Sequence, residues 1–190
     1  LNSPETALFR KGKTVYGLAL AKNSIRNESR AVIVEGYMDA IMCYQFGFKN
    51  VVATLGTALT KEQADTVSRY APQVIIAYDA DAAGGAATLR GMEILQGVGA
   101  GVRVAVLPAG EDPDSMLRKY GKEALARVLE DAKPLTAYKL YRIASQTDTS
   151  RLDQRVRAAK EAARVLANIE SDVERVEYAE KAAKMLDVSR

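Results

Sequence analysis

The sequence predicts an α/β fold, with a mostly parallel sheet of about four strands flanked by helices and followed by a helical subdomain. Short β-branched apolar runs recur four times, each separated from the next by a segment of helical periodicity. Such runs are typical of strands buried on both faces of a parallel sheet, joined by right-handed crossovers. Beyond Asp112 no segment alternates like a strand, and Ala, Glu, Lys, Arg and Leu dominate. We therefore predict a basic lead-in over 1–30, an α/β domain over 31–114 and a helical subdomain over 115–190.

Strands and helices are predicted to alternate through the first two parts. The apolar runs place strands at Ala31–Val34, Val51–Thr54, Val74–Tyr78 and Val102–Leu107. One-face apolar spacing places helices at Val15–Ile25, at Met38–Phe46, from Thr60 to about Tyr70, and from about Ala83 to Gln96. Thr60 and Gln63 fit a capping box at the start of the third of these helices.

The remaining sequence is predicted to be entirely helical. Helices are expected at Ser115–Tyr120, Lys122–Asp131, Leu135–Ala144, Leu152–Asn168 and Ser171–Leu186. An apolar stripe continues along the fourth of these, through Val156, Ala159, Ala163 and Leu166. A stripe of this kind indicates a bundle rather than a disordered tail.

The composition excludes several kinds of site. The chain of 190 residues has no histidine and a single cysteine, Cys43, which lies in an apolar pattern. Histidine-based triads and most catalytic zinc sites are therefore excluded. A tightly held metal would be a hard, oxygen-loving ion, Mg²⁺ or Mn²⁺. We expect Cys43 to be a small buried hydrophobe in a reducing compartment.

Length, hydropathy and charge further restrict the class of protein to which the chain could belong. No apolar run reaches the roughly 20 residues that cross a bilayer, and no signal peptide opens the chain, so we expect a soluble protein. The first residue is Leu1 rather than Met, which suggests a piece of something longer. The first 30 residues carry six basic and two acidic side chains. This excess indicates either a track for a polyanion or a solvated helix face.

Acidic residues follow the predicted strands. Glu35 ends the first strand, and Asp79 and Asp81 follow the third, two positions apart and so on the same side of an extended chain. Asp39 would lie in the first turn of the next helix, and the loop after the fourth strand contains the acids Asp112 and Asp114. In an open parallel sheet, ligands bind beyond these strand ends. We therefore expect the acids to converge.

Each acid also has a simpler explanation. Asp39 fits a helix-start acid, Asp112 fits an N-cap, and the pair around Ala80 fits a loop with solvated carboxylates. Together they favour a metal site, because two unit charges 4 Å apart repel by about 4 kcal/mol at an effective dielectric of 20. A cluster of such charges is economical only when cations neutralise it.

Four motifs carry a resemblance to a known family. They are Glu35-Gly36-Tyr37-Met38-Asp39, Leu55-Gly56-Thr57-Ala58-Leu59-Thr60, Asp79-Ala80-Asp81-Ala82-Ala83-Gly84 and Leu107-Pro108-Ala109-Gly110-Glu111-Asp112-Pro113-Asp114. In this order and spacing they resemble the Toprim domain of bacterial replicative primases of the DnaG type. The upstream Lys11-Gly12-Lys13, Tyr16-Gly17-Leu18 and Ala21-Lys22 resemble the segment that leads into that domain. One departure is Ala80, where the family more often has Gly.

The resemblance implies a Toprim, Rossmann-like fold and synthesis of short RNA primers on single-stranded DNA from nucleoside triphosphates. Glu35, Asp79 and Asp81 would be catalytic, metal-binding acids, and further metal ligands would be Asp39, Asp112 and Asp114. The cofactor would be Mg²⁺ or Mn²⁺ in two-metal catalysis, without zinc in this part of the protein. Nucleotide or nucleic acid would be bound by Lys11, Lys13, Lys22, Gly36, Gly56 and Thr57.

The resemblance also implies partners and missing parts. The partners would be a DNA template, nucleoside triphosphates and an RNA primer, with no membrane, in a bacterial cytoplasmic monomer. The family's zinc-binding template reader and a basic subdomain would precede this chain, and its helicase-interacting domain would lie beyond Arg190. We therefore expect this chain to bind metal and nucleotide but to prime poorly.

Two other functions stay open. Another Toprim enzyme, a topoisomerase or a nuclease, would share the acids. Topoisomerases need a nucleophilic tyrosine on a separate domain, and nucleases of this class usually lack the loop from Leu107 to Asp114. A non-catalytic module would hold nucleotides or guanosine tetraphosphate-type alarmones on the same metal site.

Overall fold

A five-stranded sheet forms the centre of the α/β part. The computed structural model describes residues 4–7, 9–54, 58–79 and 86–188, apart from the side chains at positions 86 and 87. The strand order is β2-β1-β3-β4-β5, and the β1–β2, β1–β3 and β3–β4 pairs are parallel. The strands are β1 Arg30–Val34, β2 Val51–Ala53, β3 Gln73–Ile76, β4 Gly101–Val104 and β5 Lys133–Pro134. The predicted parallel α/β sheet is therefore confirmed, with a short fifth strand added.

Eight helices occur in the described ranges. They are α1 Leu18–Glu28, α2 Tyr37–Gln45, α3 Lys61–Ser68, α4 Ala86–Gly97, α5 Pro113–Glu130, α6 Leu135–Ser145, α7 Leu152–Leu166 and α8 Asp172–Leu186. None of them combines the length and the apolar character that a membrane-spanning segment requires.

The sheet has one apolar face against α2 and α5. Val32 and Val34 of β1 point to that face and pack in one cluster with Cys43 of α2 and Leu117 of α5. Because side chains alternate along a strand, the intervening residue Ile33 points to the opposite face, as does Ile76, its partner on β3. Cys43 is buried as predicted, and burial raises the pKa of its thiol to about 12.

The first helix begins later than predicted for a local reason. It starts at Leu18 rather than Val15, because Tyr16 forms an antiparallel bridge with Ala53 and Gly17 has a φ of 78°. The predicted pair of helices between Ser115 and Asp131 is confirmed, since the helical path of α5 is broken at Gly121, where φ is 80° and ψ −179°. This is the left-handed side of conformational space that glycine adopts most easily.

The chain divides into two compact units, residues 1–133 and 134–190. α5 therefore belongs to the first unit, whereas the sequence-based prediction placed both helices of this segment in the helical subdomain. In the second unit, α6, α7 and α8 form a bundle as predicted. Its apolar interior is a cluster formed by Leu140, Ile143, Ala158, Ala162, Ala182 and Leu186. The predicted apolar stripe of α7 is wrong in its residues, because Ala158 and Ala162 form the buried face whereas Val156 and Ala163 are exposed.

Candidate metal and nucleotide site

Glu35 lies where β1 ends at the carboxyl edge of the sheet. Its Oε2 atom is buried and receives no hydrogen bond from the described residues. Burial, and then the nearby charge of Asp79, raise the pKa of Glu35 above its ordinary value. Asp79 itself follows β3, the strand beside β1, so the two acids share this edge as predicted. An ionised Glu35 would therefore be stabilised by a cation at this edge.

Asp39 connects the end of β1 to the start of α5. The N–H of Gly36 donates to Asp39 Oδ2 (3.1 Å), and the N–H of Asp114 donates to Oδ1 (3.2 Å). The side chain is 8% exposed. Its pKa is raised to about 6, mainly by burial and also by the charges of Asp112 and Asp79, while the hydrogen bonds from the Asp114 and Gly36 N–H groups act to lower it. Asp39 is thus a helix-start acid that also fixes a second segment of the site.

Gly36 has a structural reason to be glycine. A Cβ atom at this position would lie 2.8 Å from Asp39 Oδ2, closer than real Cβ atoms approach an oxygen. Its φ of −96° requires no glycine, so the close approach of the carboxylate is the reason. Contact between Gly36 and a phosphate stays a prediction.

Acids and hydroxyls form a network at the start of α5. The N–H of Ser115 donates to the carboxylate of Asp112 (2.6 Å), which is the N-cap, and the N–H of Asp112 donates to Ser115 Oγ (3.0 Å). Ser115 Oγ in turn donates to Glu111 Oε2 (2.6 Å), and Lys119 Nζ donates to Glu111 Oε1 (2.7 Å). These two donors, Lys119 first, lower the pKa of Glu111. Asp114 pairs with Arg118 (2.8 Å).

Glu111 is a member of this network that the sequence-based prediction did not single out. It is 8% exposed and lies directly before the two predicted ligands Asp112 and Asp114. The signal available in the sequence was the pair Glu111 and Ser115, four residues apart across a helix start. Glu111 supports the cap that orients Asp112, and its own charge is neutralised by Lys119.

The described acids share one electrostatic neighbourhood without forming a closed cage. The charges of Asp112 and Asp79 act to raise the pKa of Asp39, and the charges of Asp39 and Asp114 act to raise the pKa of the buried Cys43 thiol. Among the residues that the structure describes, no group of three or more acidic or thiol side chains could hold a metal ion as it stands. The predicted ligand Asp81 lies outside the described residues, as do Gly56 and Thr57.

The basic lead-in contains a turn that is fixed to the start of α3. Gln63 Nε2 donates to the carbonyl oxygens of Lys11 and Thr14, each at 2.9 Å, and Gln63 is fully buried. Thr60 Oγ1 donates to the carbonyl oxygen of Gly12 (2.5 Å), and the predicted capping box of Thr60 and Gln63 is confirmed. The box therefore anchors the turn that carries Lys11 and Lys13.

The predicted lysine positions are partly accessible. Lys13 lies in this turn and is exposed, and Lys22 is exposed on α1. No described contact joins these lysines to the acids, so their predicted role toward phosphate stays a prediction.

Comparison with known families matches both units. Residues 32–117 match a family described as Toprim-like, and residues 136–190 match one described as the DnaB-helicase binding domain of primase. The second match differs from our expectation that the helicase-interacting part follows Arg190, since it places a model with that description on the helical unit. The sequence signal that we used was an apolar stripe on one helix. Such a stripe indicates a helical bundle but says nothing about what the bundle binds.

Relatives of known name are DNA primases. The chain is 44% identical over 182 residues to that of Clostridium acetobutylicum, covering 95% of this chain and 30% of the relative. It is 37% identical over 179 residues to that of Escherichia coli K12, covering 93% of this chain and 31% of the relative. The chain thus spans about a third of the length of these relatives.

Solved structures that match the chain include domains of DnaG primases. The RNA polymerase domain of Mycobacterium tuberculosis primase DnaG, in complex with double-stranded DNA, matches with a TM-score of 0.82 and 30% identity, over 100% of this chain and 61% of that one. A DnaG primase catalytic domain bound to single-stranded DNA matches with a TM-score of 0.75 and 35% identity, over 97% of this chain and 60% of that one. The chain therefore belongs to the DnaG-type primases, and it carries their Toprim domain together with the helical region that follows it.

Proposed function

We propose that this chain is the metal-dependent nucleotidyl-transfer centre of a DNA primase, which makes short RNA primers on single-stranded DNA from nucleoside triphosphates. The observation that carries the proposal is the buried Oε2 of Glu35, which receives no hydrogen bond from the described residues and lies near Asp79. A buried carboxylate oxygen of this kind is costly unless a cation or a donor reaches it. The DNA primases among its relatives support the choice of reaction.

The donor set fits hard divalent cations. The acids proposed to hold Mg²⁺ or Mn²⁺ offer only oxygen atoms, and the chain contains no histidine. We assign this role to Glu35, Asp39, Asp79, Asp81, Asp112 and Asp114. When bound, such ions lower the pKa of a primer 3′-hydroxyl and neutralise charge on the triphosphate.

The acidic residues would make different contributions to the site. Glu35 and Asp79 supply negative charge at the strand ends, and Asp39 holds the loop after β1 against the start of α5 through its two main-chain hydrogen bonds. The Asp112 cap fixes the first turn of α5, which carries Asp114. Together these contacts preorganise the acids, which reduces the reorganisation needed when substrate binds.

The anchored turn suits the phosphates. Lys11 and Lys13 flank Gly12, whose carbonyl oxygen is held by Thr60. Because the backbone of this turn is fixed, the lysine side chains start from a defined position, and lysine ammonium groups contact phosphate without reading base sequence. We assign these lysines, with Lys22, to the triphosphate or the template backbone.

The first test is Mn²⁺ titration by calorimetry, with and without nucleoside triphosphate. We compare the wild-type chain with Asp79→Asn/Asp81→Asn and with the charge-matched control Glu130→Gln/Asp131→Asn at the end of α5. The proposal predicts binding that nucleotide strengthens, that the first double variant loses and that the control keeps. Absence of binding in the wild type, or equal binding by all three proteins, would contradict it.

A second assay separates catalysis from binding alone. Because the chain spans about a third of its relatives, we expect little primer synthesis by the chain on its own, and synthesis when the same Toprim region stands in the full-length protein. A full-length protein that binds nucleotide but makes no primer would instead favour a nucleotide- or alarmone-binding module. Competition by a phosphorylated guanosine for the same site would identify that module's ligand.

We also propose a replicative helicase as a partner of the helical unit. The specific observation is the match of residues 136–190 to the helicase-binding description, together with two exposed apolar residues one turn apart on α7, Leu152 and Val156. Leu152→Glu/Val156→Glu should weaken binding to the replicative helicase of the same organism, measured by surface plasmon resonance. Leu20→Glu on α1, equally apolar and exposed, should leave it unchanged, and equal binding by both variants would contradict this surface.

A further inference from the structure

Three side chains line up across the ends of β2, β1 and β3. The last printed pairs of the parallel ladders are Val34 with Ala53 and Ile33 with Ile76. One position beyond the pair of Val34 and Ala53, Glu35 lies beside Thr54, which follows β2. Two positions beyond the pair of Ile33 and Ile76, Glu35 lies beside Tyr78, which follows β3 on the other side of β1. The hydrogen bonds from Thr54 N–H to Val34 O (3.3 Å) and from Ala77 N–H to Ile33 O (2.9 Å) show that both ladders extend this far.

The three side chains share one face of the sheet. Alternation along the strands puts Glu35 on the same side as Ile33, and Thr54 and Tyr78 on that side of their own strands. This is the face opposite to the cluster that Val34, Ala53 and Ala77 form with α2 and α5. Glu35 therefore points away from Cys43 and toward the two hydroxyl-bearing residues.

Both flanking residues are buried. Thr54 is 1% exposed and Tyr78 is 5% exposed, each at the end of an otherwise apolar strand. The pKa of the Tyr78 hydroxyl is raised to about 12 in total: burial contributes most, the Thr54 hydroxyl acts to lower it, and the charge of Glu35 contributes to the rise. The Tyr78 hydroxyl and Glu35 Oε2 are both buried and form no hydrogen bond with the described residues, so both retain unused hydrogen-bonding capacity in this structure.

We propose that Thr54 and Tyr78 are positioning residues, whose buried hydroxyls flank the Glu35 carboxylate and donate to it when a divalent cation binds, which holds the carboxylate in the orientation that meets the ion. The proposal rests on the proposed function, because it takes Glu35 as a metal ligand. It adds two residues that act through Glu35 and do not touch the metal or the substrate. Groups that orient a ligand in this way influence metal affinity strongly.

The test is a set of Mn²⁺ affinities measured by calorimetry at constant pH. Tyr78→Phe and Thr54→Val each remove one hydroxyl with little change in volume, and each should weaken Mn²⁺ binding about tenfold. Thr54→Ser keeps the hydroxyl and should restore most of the affinity. Tyr44→Phe, at the far end of α2, is the matched control and should bind like the wild type.

A double-mutant cycle shows whether the hydroxyls act through Glu35. Glu35→Gln/Tyr78→Phe should bind Mn²⁺ as weakly as Glu35→Gln alone, because the hydroxyl has no carboxylate left to orient. Additive losses, or full affinity in both Tyr78→Phe and Thr54→Val, would overturn the inference while leaving the metal site intact. Failure of the wild type to bind Mn²⁺ would instead overturn the proposed function and this inference with it. Thermal unfolding of every variant confirms that the fold is retained.

Discussion

The end of β1 and the start of α5 both carry acids, but the protein satisfies them differently. At the end of β1, Glu35 Oε2 is buried and receives no hydrogen bond from the described residues. At the start of α5, Asp112 caps its own helix and Glu111 binds Ser115 and Lys119. The helix-start acids therefore contribute to the fold as well as to any site. Glu35 contributes a buried carboxylate oxygen that the described residues leave without a hydrogen bond, which is what a cation site requires.

Asp39 lies between these two regions and joins them. Its two carboxylate oxygens accept one N–H from each side, from Gly36 after β1 and from Asp114 in α5. A residue that holds two segments 75 positions apart in the sequence should matter more for stability than one that caps a single helix. Changes in stability should therefore distinguish the acids that hold the fold from the acid that meets a cation.

The largest effect should come from Asp39→Ala. It leaves two partly buried N–H groups without an acceptor, so we expect a loss of about 3 kcal/mol in the free energy of unfolding, measured by urea denaturation. Asp39→Asn keeps one acceptor oxygen and should lose about half as much. A loss below about 1 kcal/mol for Asp39→Ala would mean that relief of charge repulsion outweighs the two hydrogen bonds.

Ser115→Ala should have the next largest effect. It removes the acceptor of the Asp112 N–H and a donor to Glu111, so we expect a loss of about 1.5 kcal/mol by the same method. Ser145→Ala, whose hydroxyl bonds only to its own helix in an exposed position, is the control and should change stability by less than about 0.5 kcal/mol. Equal losses in the two variants would argue against the α5 network.

A smaller, pH-dependent effect should distinguish Asp39 from ordinary carboxylates. Its pKa of about 6 lies above its ordinary value of 3.8, so the folded state holds this proton more tightly than the unfolded state. The stability that the protonated form contributes is complete below about pH 4 and is lost as the pH rises to about 6. Without added metal, the free energy of unfolding of Asp39→Asn should fall less over this interval than that of the wild type. Parallel curves would contradict the assignment.

The smallest effect on stability should come from Glu35→Gln. Removing a partly buried charge that lacks a hydrogen bond at one oxygen costs no described contact, so we expect a change within about 0.5 kcal/mol, in either direction. A loss as large as that of Ser115→Ala would show that Glu35 is a structural acid. The contrast between the two regions would then disappear.

The sequence was sufficient to predict the sheet and the order of the acids. β-branched runs marked β1 to β4, and Glu35, Asp39 and Asp79 follow them in the chain, so strand ends and acids could be paired without coordinates. The capping box of Thr60 and Gln63 was also readable, because its four-residue pattern is local. β5 was not, since two residues, Lys133 and Pro134, contain no periodic signal.

Contacts between distant segments could not be predicted. The hydrogen bond from the N–H of Asp114 to Asp39 depends on how α2 packs against α5. The second role of Gln63, which binds the turn at Lys11, depends on the path of the lead-in. The row of Thr54, Glu35 and Tyr78 depends on the register of three strands, which a single sequence does not state.

The most direct test of the contrast is stabilisation by Mn²⁺. Urea denaturation at pH 7, with and without 1 mM Mn²⁺, is compared for the wild type, Glu35→Gln and Ser115→Ala. A cation that binds only the folded state raises the free energy of unfolding by RT ln(1 + [L]/Kd). We expect Mn²⁺ to stabilise the wild type and Ser115→Ala, and to stabilise Glu35→Gln much less. Equal stabilisation of Glu35→Gln and the wild type would contradict a metal site built on Glu35.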